Sequence, residues 1–346
     1  MGRKSSWGDA FRVWSVYVGV VVGAGFASGR EIVTYFVIYG ERWWAGMALA
    51  GLLFALVGWA VLRLIRQGPR TYRELMRQTL GRRLGTAMEW VSGLFLLALF
   101  CTMCAAAGEL LRELTGWPRW VGAVGLLLVC LLVFARGVAG VVALNAVLAP
   151  LLLVGGFLLA LLLGGGAVRP VFSAGAGLWR FSRTWVFSAL LYVSYNLITA
   201  VSVLLPLAPY LRDSRTPRRA GLLGGLAMAL LGTGLGLALS RHPEAGGAQL
   251  PLWTLLRGSP GVWRGLYLFF LLAAIATTAV GNGFGGLRFL EERFPRLRRR
   301  GLWLLAGAAL AASLLDFSRW VALVYPLFGY VGLLELAVLL ASFTKS

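Results

Sequence analysis

The sequence has little of what catalytic and metal sites are usually built from. It contains one histidine, His242, and three cysteines among 346 residues. Nucleophile–base pairs and zinc sites draw mainly on such residues. We therefore expect no enzyme activity, no cofactor and no metal site other than one for a sodium ion. Two of the cysteines, Cys101 and Cys104, form a Cys-x-x-Cys pattern, but the apolar run LFLLALFCTMCAAAG around them favours packing over redox chemistry.

Charged residues are also scarce. They make up 13% of the chain, against about 25% in soluble domains, while 59% of the residues are hydrophobic and the mean hydropathy is +0.79. This excess extends along the whole length, which predicts an all-α polytopic membrane protein rather than a soluble domain with one anchor.

Apolar runs of about 20 residues, the length that crosses a bilayer, predict ten transmembrane helices. They cover residues 11–38, 43–62, 86–111, 119–135, 138–164, 184–210, 220–239, 263–287, 301–315 and 320–343. The stretch 70–83 alternates basic and apolar residues and predicts an amphipathic helix on the cytoplasmic face, while 249–258 predicts a short outer-face helix that could act as a lid.

The net charge of +20 would suggest nucleic acid as a partner of a soluble protein. Here 22 of the 33 basic residues fall in segments on the N-terminal side of the membrane, as the positive-inside rule requires. We therefore expect no nucleic-acid partner, a multi-pass protein of the cell membrane, and both termini in the cytoplasm.

Ten spans divide into two units of five. Because each unit has an odd number of spans, the second unit has the opposite orientation in the membrane. This is the common plan of secondary transporters, with the ligand site at the midplane. We predict one transmembrane domain, residues 1–346, with a first repeat over about 11–164 and a second over about 184–343.

The first span contains GAGFASGRE, with three glycines that each weaken a helix by about 1 kcal/mol relative to alanine. An unwound turn is tolerated in a membrane only where it faces protein, water or a ligand, so we predict a break and a binding site here. Close helix packing through Gly25-x-x-x-Gly29 is the alternative. The predicted substrate-binding segment comprises Gly23, Ala24, Gly25, Phe26, Ala27, Ser28 and Gly29.

The sixth span should show a matching irregularity, and we expect it to be broken although it has no glycine. Its polar cluster consists of Tyr192, Ser194, Tyr195 and Asn196. These side chains either line a wet cavity with the first span or bond to neighbouring helices. In the eighth span, the hydroxyls of Thr277 and Thr278 near Ala274 could complete a cation shell, or bond to their own helix.

The strings VVVGAGFASGREI and YVSYN resemble the YkvI-like amino acid permeases of the amino acid–polyamine–cation superfamily, over nearly the whole chain. The resemblance implies the five-plus-five fold of LeuT and the transport of amino acids or related small solutes by alternating access, coupled to sodium or protons. Some members of that superfamily sense nutrients, so a membrane receptor is the alternative function.

The resemblance also implies finer assignments. A sodium site would comprise Gly19, Val22, Ala274, Thr277 and Thr278. An inner gate would comprise Lys4, Trp7 and Glu292.

Charges within spans add further candidates. Arg30 and Glu31 would lie toward the outer mouth, either as a gate with Asp316 as counter-charge or as a structural ion pair. Glu335 in the last span is a candidate proton carrier, because acids within a membrane span are usually functional.

Overall fold

The computed structural model describes residues 7–69, 71–165, 183–248, 250–297, 300–312 and 317–344. Within these ranges the chain is helical and contains no strand. The first half forms α1 (Trp7–Val21), α2 (Ala24–Ala27), α3 (Arg30–Tyr35), α4 (Trp43–Gln67), α5 (Tyr72–Thr115), α6 (Arg119–Phe134) and α7 (Gly137–Leu163). The second half forms α8 (Trp185–Leu204), α9 (Arg215–Arg241), α10 (Pro251–Leu256), α11 (Gly261–Arg293), α12 (Gly301–Ala312) and α13 (Phe317–Thr344).

Six helical segments of the described residues are long and apolar enough to cross a membrane: Val37–Gln67, Tyr72–Thr115, Gly137–Leu163, Trp185–Tyr210, Arg215–Arg241 and Gly261–Arg293. Helices occupy the other four predicted spans as well, without reaching that length and apolarity within the described residues. The prediction of an all-helical, multi-pass membrane protein is thus confirmed. The count of ten spans and the inverted repeat stay predictions.

The first span is interrupted in the glycine-rich stretch. α1 ends at Val21, and Gly23 is extended with φ −87° and ψ −177°. A single turn, α2, follows before Gly29 takes a left-handed conformation with φ 83°, which glycine adopts without a steric penalty. The chain then resumes as α3, so three short helices stand where one long helix would otherwise run.

The sixth span is not broken, and the expectation that it would be is wrong. α8 continues through Tyr192–Asn196 and ends only at Leu204, where a 3₁₀ turn over Leu205–Tyr210 begins. Its polar side chains leave the helix intact because they bond to carbonyls of their own helix: Ser194 Oγ donates to Leu191 O at 2.8 Å and Asn196 Nδ2 to Tyr192 O at 2.9 Å. Without glycine there is no local cause for unwinding.

Both predicted surface helices are present. The amphipathic stretch forms the first turns of α5 and is set off from the rest by Gly81, whose φ of 75° and ψ of 178° are not helical. The stretch 249–258 contains α10, while Gln249 lies outside the described residues.

α4 and α9 pack backbone against backbone. A Cβ atom at Gly51 would collide with that of Ala229, one at Gly221 with the backbone of Trp59, and one at Gly225 with the backbone of Ala55. Only glycine permits this approach.

The helix termini define two ends of the bundle. We call the end at which α5 begins and α11 finishes the basic end, since it carries Arg73, Arg77, Arg288 and Arg293. We call the other end, at which α5 finishes and α11 begins, the α10 end. The break in the first span lies buried between them, against α11 and α8.

Candidate functional site

The break leaves backbone carbonyls without partners at the end of α1. The N–H of Val22 donates to Val18 O at 2.8 Å, and the N–H of Gly23 folds back to Val21 O at 2.9 Å. The carbonyls of Gly19 and Val20 therefore accept no hydrogen bond from the described backbone. Buried carbonyls of this kind are candidate ligands for a polar group or a cation, because their desolvation is otherwise not offset.

The predicted sodium-site residues lie close together at this point. A Cβ atom at Gly19 would lie 3.3 Å from Thr277 Cβ, and one at Gly23 would lie 3.2 Å from Thr278 Oγ1. The hydroxyl of Thr278 is buried and has no hydrogen-bond partner, whereas Thr277 Oγ1 donates to Ala273 O at 3.0 Å and to Ala274 O at 3.1 Å. Of the two threonines, Thr278 is thus the one with a free oxygen.

One further residue, on α7, belongs to this group, although nothing in the sequence singles it out. The side-chain oxygen of Asn145 lies directly against Gly19 and has no partner, while its amide donates to Val141 O at 2.9 Å. Asn145 is fully buried. An amide oxygen held this way is a ligand that hard cations accept. Its position next to Gly19 could not be predicted from the sequence, since the two residues are 126 positions apart in the chain.

Glu31 turns back over the break. Its side chain is 4% exposed, and a Cβ atom at Gly25 would lie 2.7 Å from Glu31 Cδ, so the carboxylate rests on the bare backbone of Gly25. Its Oε2 atom has no hydrogen-bond partner, and the described part of the chain places no cationic side chain on it. A buried carboxylate without a counter-charge is costly, so a group that binds it is expected.

Tyrosines surround this carboxylate. The hydroxyls of Tyr192 and Tyr195 of α8 are buried and lie near the Glu31 carboxylate. Tyr35 closes a triangle, with its ring centroid 5.3 Å from that of Tyr192 and 5.8 Å from that of Tyr195, and Tyr325 of α13 stacks on Tyr195 at 5.2 Å. We call Tyr35, Tyr192, Tyr195 and Tyr325 the tyrosine cluster.

The other two polar residues of α8 make hydrogen bonds to backbone carbonyls. Besides its bond within α8, Ser194 donates to Gly329 O of α13 at 2.7 Å. Asn196 bonds within its own helix. Tyr35 and Tyr325 were not predicted from the sequence, although the repeated tyrosines near the first and last spans were a usable signal.

Arg30 points away from Glu31, so the two do not form an ion pair. Its Nη1 donates to Gly246 O at 3.2 Å and to Ala248 O at 3.1 Å. Leu252 N donates to Ser28 O at 3.1 Å from the start of α10. Adjacent positions of a helix face different directions, so the side chains of Arg30 and Glu31 reach different partners. Asp316, their predicted counter-charge, lies outside the described residues.

A cavity of about 320 Å³ opens at the α10 end. It reaches down to Ala24 in the break, and its walls include Trp253 and Arg257 from α10 and its C-terminus. Glu113 accepts hydrogen bonds from Trp253 Nε1 at 2.9 Å and from Arg257 Nη2 at 3.0 Å. The lid predicted from the sequence therefore lies over a cavity that leads to the break.

A second cavity of about 340 Å³ lies at the basic end. Glu292 lines this cavity together with Arg73 and Glu89. Arg73 and Glu89 form a bidentate ion pair with N–O distances of 2.6 to 2.9 Å. Of the predicted gate, Glu292 thus faces a cavity, whereas the ring of Trp7 packs under the Arg219 guanidinium at 4.0 Å. Lys4 lies outside the described residues.

Glu335 lies near the basic end rather than at the break. Its Oε2 accepts a hydrogen bond from Tyr72 at 3.0 Å, and its Oε1 is buried without a partner. It is fully buried.

Comparison with known proteins relates the chain to proteins of bacteria. The sequence model of a family described as "spore germination protein" matches residues 9–233. The chain is 29% identical to the uncharacterized membrane protein YkvI of Bacillus subtilis (strain 168) over 97% of both sequences, and 22% identical to the uncharacterized protein YyaD of the same organism over 96% and 97%. The resemblance to YkvI-like proteins is confirmed.

The fold is shared with solved transporters. A Na⁺-coupled sialic acid symporter in a substrate-bound outward-open state has a TM-score of 0.63 at 16% identity, over 92% of this chain and 75% of that one. The nucleobase-cation-symport-1 family transporter MHP1, closed around bromovinylhydantoin, also reaches 0.63 at 16% identity, over 87% and 70%. A manganese transporter of Eremococcus coleocola reaches 0.58 at 18% identity, over 91% and 72%.

Proposed function

Because the chain belongs to the spore germination protein family and has the fold of cation-coupled transporters, we propose that it is a secondary active transporter. It moves an amino acid or a related small solute across the cell membrane by alternating access, driven by sodium or protons. Its termini lie in the cytoplasm.

One observation carries this proposal: a buried break in a helix lies between two cavities that do not meet. The cavity at the α10 end is lined by Ala24 of the break, and the cavity at the basic end is lined by Leu96 of α5; the two share no lining residue. Between them, unpaired polar atoms of the break and the tyrosine cluster form a closed site. A site that can be reached from either end, but never from both, is what alternating access requires.

The coupling ion would bind beside the solute. The free carbonyl of Gly19, the oxygens of Thr278 and Asn145, and the carbonyl of Val22 supply candidate ligands from three helices. A cation held there would favour the arrangement in which α1 and α11 are close, which is how its occupancy couples to the tilt of the first span.

The family description favours a second candidate, a receptor. It refers to spore germination rather than to transport. A receptor with this fold would bind a small nutrient at the closed site and signal its presence without transporting it.

Uptake into proteoliposomes distinguishes the two. Purified protein is reconstituted and offered pooled amino acids and amines under an imposed inward sodium gradient, an inward proton gradient, or neither. We expect accumulation of at least one solute that collapses when the gradient is removed. Saturable binding without accumulation under either gradient would instead identify a receptor.

A further inference from the structure

We propose that Glu335 is a regulatory proton site: it takes its proton from the basic end of the molecule, and the bound proton holds the first turns of α5 against the bundle. We call these turns, residues 72–80, the amphipathic segment, and we call the segment docked when it lies as the structure shows it. The proton exchanges with one side of the membrane only and does not cross with the solute. The inference goes beyond the proposed function and does not depend on it.

The first observation is a buried carboxyl group without a cation. Glu335 is fully buried, its Oε1 has no hydrogen-bond partner, and its Oε2 accepts one hydrogen bond, from the Tyr72 hydroxyl at 3.0 Å. Where the structure describes the chain, none of the ion pairs includes Glu335. A carboxylate buried in this way is costly, and one hydrogen bond from a neutral hydroxyl does not offset that cost. The docked segment therefore favours a carboxyl group that carries its proton.

The second observation concerns the groups around Glu335. α13 packs against α5, α8 and α4, and α8 carries no ionisable residue after Tyr195. The ionisable residues that α5, α4 and the second half of α13 place toward this end are Tyr72, Arg73, Glu74, Arg77, Arg82, Arg83, Glu89, Arg63, Arg66 and Tyr330. Of these, only Tyr72 acts on the carboxyl group. A proton is thus the species left to neutralise Glu335.

The third observation is access from one end. Tyr72 and Ser92 line the cavity of about 340 Å³ at the basic end, whereas Glu335 does not. The Tyr72 hydroxyl, with that of Ser92 near it, thus stands between the carboxyl group and the cavity. No described residue of α13 lines the cavity at the α10 end. A carrier of protons needs access from both ends, whereas a site that opens to one end responds to the pH at that end.

The fourth observation is the attachment of the segment. Gly81, with φ 75° and ψ 178°, is not helical and separates the amphipathic segment from the rest of α5. A Cβ atom at Gly85 would lie 2.7 Å from Met76 O, so the segment lies directly on the turns that follow it. A movement at Gly81 would draw Tyr72 away from Glu335. Water from the basic-end cavity would then reach the carboxyl group.

Protonation and docking are linked through this movement. When the segment leaves, the proton passes from Glu335 to water in the basic-end cavity and leaves a hydrated carboxylate. A glutamate in water releases its proton above about pH 4.3, so docking above that pH takes up one proton. Docking is therefore favoured at low pH and weakens as the pH rises, by up to about tenfold per pH unit.

Hydrogen–deuterium exchange tests the linkage on the purified protein in nanodiscs. The exchange rate of the amides of residues 73–80 is measured at a series of pH values on either side of neutrality. At each pH the wild-type rate is divided by that of Glu335→Gln, which cancels the chemical pH dependence of exchange. Glutamine can still accept the hydrogen bond from Tyr72 but cannot ionise. We expect the ratio to rise about tenfold or more with pH. A ratio that does not change with pH would overturn the proposal.

Two further variants make the result specific. Glu291→Gln removes a carboxylate from the end of α11 at the same end of the bundle, where its side chain is 24% exposed, and should follow the wild type at every pH. Loss of the pH dependence in this variant would place the titrating group elsewhere and contradict the inference. If Glu335→Gln does not fold, Glu335→Met, which is neutral and of similar length, takes its place with the same expected ratio.

Uptake separates this inference from the proposed function. In proteoliposomes, Glu335→Gln should still accumulate solute under the gradient that drives the wild type, and only the wild-type rate should respond to pH on the side of the basic end. If Glu335→Gln lost accumulation driven by a proton gradient, Glu335 would carry the transported proton and the inference would be wrong. If the wild type accumulated nothing, the proposed function would fail, and the exchange ratio would still decide the inference.

Discussion

At the scale of single residues, Gly25 matters for what it lacks. Any side chain there would occupy the volume that now holds the Glu31 carboxylate, with its first atom 2.7 Å from Glu31 Cδ. The glycine therefore does more than weaken a helix, which is all that its sequence context indicated. Its missing side chain leaves the space that the buried Glu31 carboxylate occupies.

Gly25→Leu should abolish solute binding and uptake while the protein still inserts in the membrane, because the leucine expels the carboxylate from its position. Uptake into proteoliposomes and elution as a monodisperse species are the two measurements. Gly265→Leu on the exposed side of α11, where a Cβ atom meets nothing within 4 Å, is the matched control. Normal transport by Gly25→Leu would place the solute elsewhere.

Thr278→Val should remove most of the sodium dependence of uptake, if sodium is the coupling ion, because it deletes the unpartnered hydroxyl that lies against Gly23. The sodium concentration for half-maximal uptake should rise about tenfold, as expected for one lost ligand worth about 1.4 kcal/mol. Thr102→Val is the control, since that buried hydroxyl is already bonded to Ala98 O at 2.8 Å. Sodium dependence that persists in Thr277→Ala/Thr278→Ala would rule out the cation site.

At the scale of helices, the first and sixth spans show how far sequence reasoning reaches. Gly23 and Gly29 take conformations that separate α1, α2 and α3, and their break was predictable because glycine is the local cause. The sixth span has polar residues but no such cause, and α8 is continuous. Polar residues within a span predict that their side chains have hydrogen-bond partners. They do not indicate whether the partner is a ligand or a backbone carbonyl of the same helix.

Arg30 ties the outer part of the broken span to the loop before α10, so Arg30→Ala should loosen that loop. It loses two charge-assisted hydrogen bonds, and amide exchange over residues 246–256 should become about tenfold faster, in line with a local loss of about 1–2 kcal/mol. Hydrogen–deuterium exchange by mass spectrometry measures this. Arg264→Ala, at an exposed position of α11, should leave these amides unchanged.

The ion pair between Arg73 and Glu89 joins the amphipathic turns of α5 to the rest of that helix beyond Gly81. Glu89 is 4% exposed and Arg73 is 28% exposed, so Arg73→Ala, which strands a buried carboxylate, should lower the melting temperature more than Glu89→Ala. The double variant should recover part of the loss, with a coupling of about 1–3 kcal/mol. The exposed pair Arg12–Asp9 is the control and should contribute little. Equal effects of the two single variants would contradict this account.

At the scale of the whole molecule, composition was enough to predict the class of protein, and the motif was enough to predict the family. Helices occupy the described parts of all ten predicted spans, and six of the described segments are long and apolar enough to cross a membrane. What could not be predicted are contacts between distant segments, such as Asn145 on Gly19 or Tyr325 on Tyr195. These depend on which face of each helix turns inward, and a span that is apolar all round leaves that undetermined.

The orientation predicted from the basic residues can be measured directly. A fluorescent reporter that folds only in the cytoplasm should be active when fused to the C-terminus, and a reporter fused after Gly116, in the turn between α5 and α6, should be active only outside. The opposite pattern would invert the topology and exchange the two cavities between inside and outside.

The contact between α4 and α9 limits how the molecule can move. Their backbones meet at Gly51, Gly221 and Gly225 without side chains between them, so sliding one helix along the other by a turn would drive bulkier neighbours such as Ala229 and Trp59 into the gap. The α4–α9 pair therefore behaves as one rigid unit. If the protein alternates between its two cavities, we expect α4 and α9 to move together, and the first span to move relative to them at its interruption between Gly23 and Gly29.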